Sequence, residues 1–285
     1  MIPVAFDYAA PTSVEEALAL LGEHGDEAKI LAGGHSLLPL MKLRLAAPTV
    51  LIYLGGIDSL RYVREEDGHI AIGAMTTYAQ VEHSDIIART VPMLAQAISL
   101  VGDVQVRNRG TLGGALAHAD PAGDMPAVTS ALGGTVRVAG PSGQRDVDIS
   151  DFFVDIFTSA LEPNEILLEI RLNREDGAAG RYEKFRRRQI DWAIVGSAVT
   201  LTRSDGTIAD ARVALTNVGP TPVRATAVEN AVKGLSPDDL QLEAISELTG
   251  QDIDPQPELN ASSDYKRHLA GVLTYRALQA SLASD

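Results

Sequence analysis

No cysteine occurs in the 285 residues, which excludes disulfides and any thiolate-held zinc or iron–sulfur cluster built from this chain alone. An iron–sulfur centre needed by its reaction must come from another polypeptide. Basic residues are scarce, with 24 Lys plus Arg against 38 Asp plus Glu and a net charge of −14. Such a surface repels phosphate polyanions, so nucleic acid is not an expected partner. The local run Arg186–Arg188 reads as a solvated strand end or a subunit contact. Long apolar runs are missing as well, and Met1–Asp7 lacks a charged segment leading into an apolar one. The expectation is a soluble cytoplasmic protein, touching the inner face of a membrane only through a partner.

What is present describes a folded chain. Apolar residues make up 45% and charged residues 22%, ordinary values for a globular protein, and the length suits one larger domain with a smaller one appended. Ser13-Val14-Glu15-Glu16 has capping-box spacing before an amphipathic run to Leu21, which predicts an early helix. Lys29–Leu31 and Val50–Leu54 read as strands, Thr77–His83 and Val91–Val101 as helices. A helix at Asp124–Leu132, a hairpin around Pro141-Ser142-Gly143 and a strand at Glu165–Leu172 follow. Composition shifts at Asn173–Gly180, a surface connection that places a boundary near residue 176. Beyond it come a long hairpin around Ser204-Asp205-Gly206 and three helical patterns at about 224–233, 237–248 and 264–282. Strands followed by helices indicate an α+β chain.

Two glycine pairs carry the chemistry. Gly33-Gly34 lies in Ala32-Gly33-Gly34-His35-Ser36 directly after a strand, and Gly113-Gly114 in Thr111-Leu112-Gly113-Gly114-Ala115. Consecutive glycines let the main chain take positive φ and bring its N–H groups close to a ligand, because no Cβ intervenes. One such turn is weak evidence, whereas two donor-rich turns could clasp a diphosphate from both sides. Neither matches the three-glycine dinucleotide fingerprint, and no glycine loop ends in Lys-Ser or Lys-Thr.

These segments resemble a known family. Leu31–Arg44 resembles the first flavin loop of the molybdenum hydroxylase flavoproteins, in their carbon monoxide dehydrogenase branch, and Gln105–Gly114 continuing through Ala119–Asp124 resembles their second signature. The resemblance implies a two-part FAD-binding domain of the vanillyl-alcohol oxidase (PCMH) type over 1–176. A smaller C-terminal domain of sheet and helices over 177–285 would follow. It implies that Ala32, Gly33, Gly34, His35 and Ser36 hold the FAD pyrophosphate with Thr111, Gly113, Gly114 and Ala115, largely through backbone amides. Asp124 would bond the ribityl chain or a nearby hydroxyl, and Leu161 touch the ring system. Lys184 would meet the flavin's polar edge or sit exposed at a strand end; Trp192 would stack on the isoalloxazine or serve as core or interface. Relatives commonly carry Asn where this chain has Ala115, and a tyrosine-containing version of the Trp192 region.

The division of labour implied is a molybdopterin-binding large subunit that oxidises substrate, an iron–sulfur small subunit that relays electrons, and this chain receiving them on FAD. A dimer of such heterotrimers and an external acceptor such as a quinone complete the expectation. Carbon monoxide is the leading substrate; a xanthine, aldehyde or N-heterocycle hydroxylase and a stand-alone flavoprotein oxidoreductase are the alternatives. No catalytic residue is expected in this chain, since no nucleophile with a matching base is evident. His35 fits a positioning role and His118 the satisfaction of local backbone. Asp120 and Asp124 are four apart, but nothing completes a metal ligand set.

Overall fold

The computed structural model describes residues 2–174 and 178–283. The boundary expected near 176 lies outside the described residues.

The chain opens on a small parallel sheet in which Val50–Tyr53 is central, flanked by Asp7–Ala9 and Ala28–Leu31. The predicted early helix is Val14–His24; the Ser13 hydroxyl caps it by accepting from the Glu16 N–H, and it buries Ala17 and Leu21. Those two side chains join Val50, Ile52 and Leu54 in one core cluster.

A five-stranded antiparallel sheet follows in the order Val63–Glu66, His69–Gly73, Ile166–Asn173, Gly134–Gly140, Gly143–Asp148. Five helices pack here: Tyr78–Glu82, Asp85–Thr90, Pro92–Ser99, Leu112–His118 and Asp124–Leu132. Eight of the nine residues of Asp124–Leu132 are buried, because this helix lies between that sheet and the next.

The remaining sheet runs Ala179–Phe185, Val195–Ser204, Thr207–Thr216, Val223–Arg224, all antiparallel. Alternate residues of its central strands point to opposite faces. Val199, Leu201, Val213 and Leu215 join Leu273, Ala277 and Leu278 of the helix Ser263–Leu282 in one cluster. Tyr182, Ala198 and Ala214 face the other way and join the cluster around Asp124–Leu132. Burial on both faces explains why Ala193–Thr202 reads as an almost unbroken apolar run. The strand Ala179–Phe185, of which the sequence suggested only the end near Lys184, is polar at Arg181, Glu183 and Lys184. The pattern expected at 237–248 divides into a short 3-10 turn at Pro237–Asp239 and a helix at Leu242–Glu247.

Candidate cofactor site

The site is assembled from two segments that pin each other. Residues 74–78 run antiparallel to 110–113: Gly113 N–H donates to Ala74 O at 3.1 Å, Leu112 N–H to Thr76 O at 3.2 Å, and Tyr78 N–H to Gly110 O at 2.9 Å. The second glycine pair is thereby fixed against the central sheet, whose strand His69–Gly73 leads directly into this segment.

The first bend packs onto the second. A methyl group built on Gly33 would overlap the Arg109 carbonyl oxygen and lie 2.8 Å from the Gly110 Cα. Only a residue without Cβ allows this main-chain approach. A Cβ on Gly114 would lie 3.3 Å from Ala32 Cβ, so the two bends touch at both ends. Beyond Gly33 the chain turns at Gly34, whose φ of 79° favours glycine.

The donors of the two bends differ. The N–H groups of Gly33, Gly34, His35 and Ser36 make no hydrogen bond to any described residue. In the second bend the four N–H groups from Leu112 to Ala115 are engaged: Gly113 and Leu112 as above, Gly114 with the Thr111 hydroxyl at 3.1 Å, and Ala115 with Thr111 O at 3.1 Å. Gly113 and Gly114 belong to the helix Leu112–His118, capped by Thr111, and neither has positive φ. The expected second turn is therefore the first turn of a helix, and its glycines serve close packing. A Cβ on Gly113 would come within 2.6 Å of Ala74 O.

Two cavities meet here. The larger, about 500 Å³, is lined by Ala32–Ser36, Thr111, Gly114, Ala115 and Leu161; Gly113 does not reach it. Lys29 is the one lysine on its wall, where Glu162 and Glu165 also lie, so an anion there must be recognised chiefly by N–H groups rather than cations. Phe157, Thr158 and Ser159, from the hairpin Phe153–Asp155 with Thr158–Ser159, line it too. The smaller cavity, about 160 Å³, is lined by Asp124, Lys184 and Trp192. His35, Ser36, Tyr78, Ala115 and His118 border both. Together the volumes suit a cofactor, whose sites span roughly 300–1,000 Å³.

At the smaller cavity a buried polar cluster joins the helix Asp124–Leu132 to the sheet that contains Ala179–Phe185. Asp124 is 7% exposed and accepts from Lys184 Nζ at 2.8 Å and from the Tyr182 hydroxyl at 2.7 Å. Residues two apart on a strand share a face, which aims Tyr182 and Lys184 at the same carboxylate. Gln96 fixes the strand, its side chain exchanging two hydrogen bonds with the Tyr182 main chain at 3.0 and 3.1 Å. Burial pushes the Asp124 carboxyl upward, and the ammonium and hydroxyl beside it pull it back. Burial also holds the Tyr182 hydroxyl well above its ordinary value.

Lys184 is therefore not exposed at a strand end: its side chain is 2% exposed. Trp192 is not core, being 63% exposed at the cavity wall beside exposed Ile190. Burial, followed by Arg109, holds His35 below the ordinary imidazole value; burial does the same for His118, whose ring lies 5.1 Å from that of Phe157. Asp120 accepts from the Ala122 N–H at 2.9 Å. No group of three or more metal-ligating side chains is found among the described residues. Tyr78 and Tyr182 were missed by sequence reasoning. The signal for Tyr182 was its spacing of two from Lys184; Tyr78 had none beyond its position at the start of a helix.

These features match known proteins. Residues 4–173 match the family model for the FAD binding domain in molybdopterin dehydrogenase, and residues 180–281 that for the CO dehydrogenase flavoprotein C-terminal domain. The chain is 42% identical to the carbon monoxide dehydrogenase medium chain of Hydrogenophaga pseudoflava, covering 99% of each. It is 34% identical to the alpha subunit of the 6-hydroxypseudooxynicotine dehydrogenase complex of Paenarthrobacter nicotinovorans, covering 99% of this chain and 96% of that one. Among solved structures, a chain of reconstituted CO dehydrogenase from Oligotropha carboxidovorans superposes with a TM-score of 0.97 at 38% identity, over 100% of each chain.

Proposed function

The chain belongs to the FAD-binding subunits of the molybdenum hydroxylases, and from that premise we propose how its residues hold the flavin and which complex it serves. FAD, when bound, takes electrons from an iron–sulfur partner and passes them to an external acceptor, a task suited to a cofactor that handles one or two electrons. The observation that carries the assignment is the main-chain contact of Gly33 with Arg109 and Gly110, beside four N–H groups without acceptors among the described residues.

In this reading Gly33, Gly34, His35 and Ser36 bind the diphosphate through their N–H groups. The second bend, Thr111 to Ala115, supplies the opposing wall, with Thr111 and Ala115 in contact and Gly113 setting the depth. Leu161 lines the larger cavity. Asp124 and Lys184 meet the flavin from the smaller cavity, where the Lys184 ammonium stabilises negative charge on the reduced ring system. Trp192 closes that cavity at the surface, and no side chain of this chain moves a proton of the substrate. The flavin-binding part spans 1–176 and the C-terminal part 177–285; the separate sheets on either side support that division.

Carbon monoxide is the substrate we assign to the complex, on the strength of the 42% identity and the first-loop resemblance. A quinone as acceptor, a dimer of heterotrimers and placement at the inner membrane face follow by the same resemblance. Among the described residues no helix is long and apolar enough to cross a membrane. The test is to purify the native complex and add carbon monoxide anaerobically. Loss of the flavin's visible absorbance is the expected result; bleaching by an N-heterocycle or aldehyde and not by carbon monoxide would overturn the substrate.

A further inference from the structure

One tyrosine at the site presents a hydroxyl that has no hydrogen-bond partner among the described residues. Tyr78 is 7% exposed and borders both cavities, and its ring edge packs on Gly110, where a Cβ would lie 3.0 Å from Cδ2. Its main chain is fixed by Gly110 and by the neighbouring Thr77 to Thr111 bridge. The hydroxyl has no hydrogen bond to any described residue. Tyr182, the other tyrosine near Asp124, has both of its neighbours in place: the carboxylate at 2.7 Å and Thr216 at 3.2 Å. The Tyr78 ring is buried but its hydroxyl oxygen is reached by solvent, so it is free to exchange a water for an oxygen of a ligand in the cavities that Tyr78 borders.

We propose that the Tyr78 hydroxyl donates a hydrogen bond to an oxygen of bound FAD where the cofactor passes from the larger cavity to the smaller. The position suits that role, since the five residues shared by both cavities mark the passage and Tyr78 brings a hydroxyl there on a fixed aromatic ring. Burial and then the Asp124 charge both raise its pKa, so the hydroxyl keeps its proton and acts as a donor. Its work is to position the cofactor. The inference rests on the reading that the glycine bends hold FAD.

The experiment compares Tyr78→Phe with Tyr62→Phe, whose hydroxyl bonds Glu169 of the five-stranded sheet and lines neither cavity. Each variant is prepared in the native complex, stripped of flavin, and titrated with FAD; unfolding of each flavin-free full-length chain is followed in parallel. Removing one hydrogen bond to a ligand weakens binding by about tenfold. Tyr78→Phe is therefore expected to raise the FAD Kd about tenfold while the flavin-free chain unfolds at the same temperature or higher. Tyr62→Phe is expected to lower the unfolding temperature and leave the FAD Kd alone. Wild-type FAD affinity in Tyr78→Phe overturns the proposal. A fall in its flavin-free unfolding temperature does so as well, because the hydroxyl would then have a protein partner. If Gly34→Ala also leaves FAD affinity intact, the reading of the bends fails with it; if Gly34→Ala weakens FAD while Tyr78→Phe does not, only the role of Tyr78 falls.

Discussion

The two glycine pairs look alike in sequence and differ in the structure. Gly33-Gly34 forms a true bend: Gly34 takes φ 79° and the N–H groups from Gly33 to Ser36 have no acceptor among the described residues. Gly113-Gly114 sits in the first turn of Leu112–His118 with ordinary φ and every N–H engaged. The first pair provides donors and the second provides room. A diglycine is thus a statement about a missing Cβ, and only the surroundings decide whether that absence frees a conformation or permits a contact.

Substitutions can break this contrast. Gly33→Ala carries the largest effect, because the new methyl meets main-chain atoms of Arg109 and Gly110 that cannot rotate away. Overpacking of this kind costs about 3 kcal/mol, and the chain is expected to lose stability and flavin together in thermal unfolding and flavin-content assays. Gly113→Ala drives a methyl to 2.6 Å from Ala74 O and is expected to cost about 2 kcal/mol. Its FAD Kd should rise less than that of Gly34→Ala. For Gly34→Ala the neighbour at 2.9 Å is the end of the Leu38 side chain, so the cost is mainly conformational, about 1–2 kcal/mol. Displaced donors should nonetheless make it the weaker FAD binder, a reversed order that denaturant unfolding and FAD titration would reveal. The smallest effect belongs to Thr111→Ala, which removes a helix cap worth about 1 kcal/mol. Thr111→Ser is expected to restore most of that stability in the same unfolding assay.

Much of this was legible because the chain's local signals agree with its fold. The Ser13 cap and the hairpin around Ser204-Asp205-Gly206 stand in the structure, the latter with strands Val195–Ser204 and Thr207–Thr216. The second bend was misjudged as a turn because Thr111 acts as a helix cap with Ala115 and Leu116 behind it, a pattern that two adjacent glycines conceal. Lys184 and Asp124 lie 60 residues apart, and nothing local in either segment announces that they form a buried pair. Tyr78 was silent for another reason: an unpaired hydroxyl is visible only when every possible partner has been placed.

The contrast between donors and room is tested most directly by amide hydrogen exchange on the native complex, with and without FAD. Amides of Gly33–Ser36 are expected to exchange fast in the flavin-free protein and to slow by at least about tenfold once FAD binds. Those of Leu112–Ala115 should be slow in both states, since their acceptors lie within the protein. Protection that appears on Leu112–Ala115 alone, with Gly33–Ser36 unchanged, would contradict the assignment of the diphosphate to the first bend.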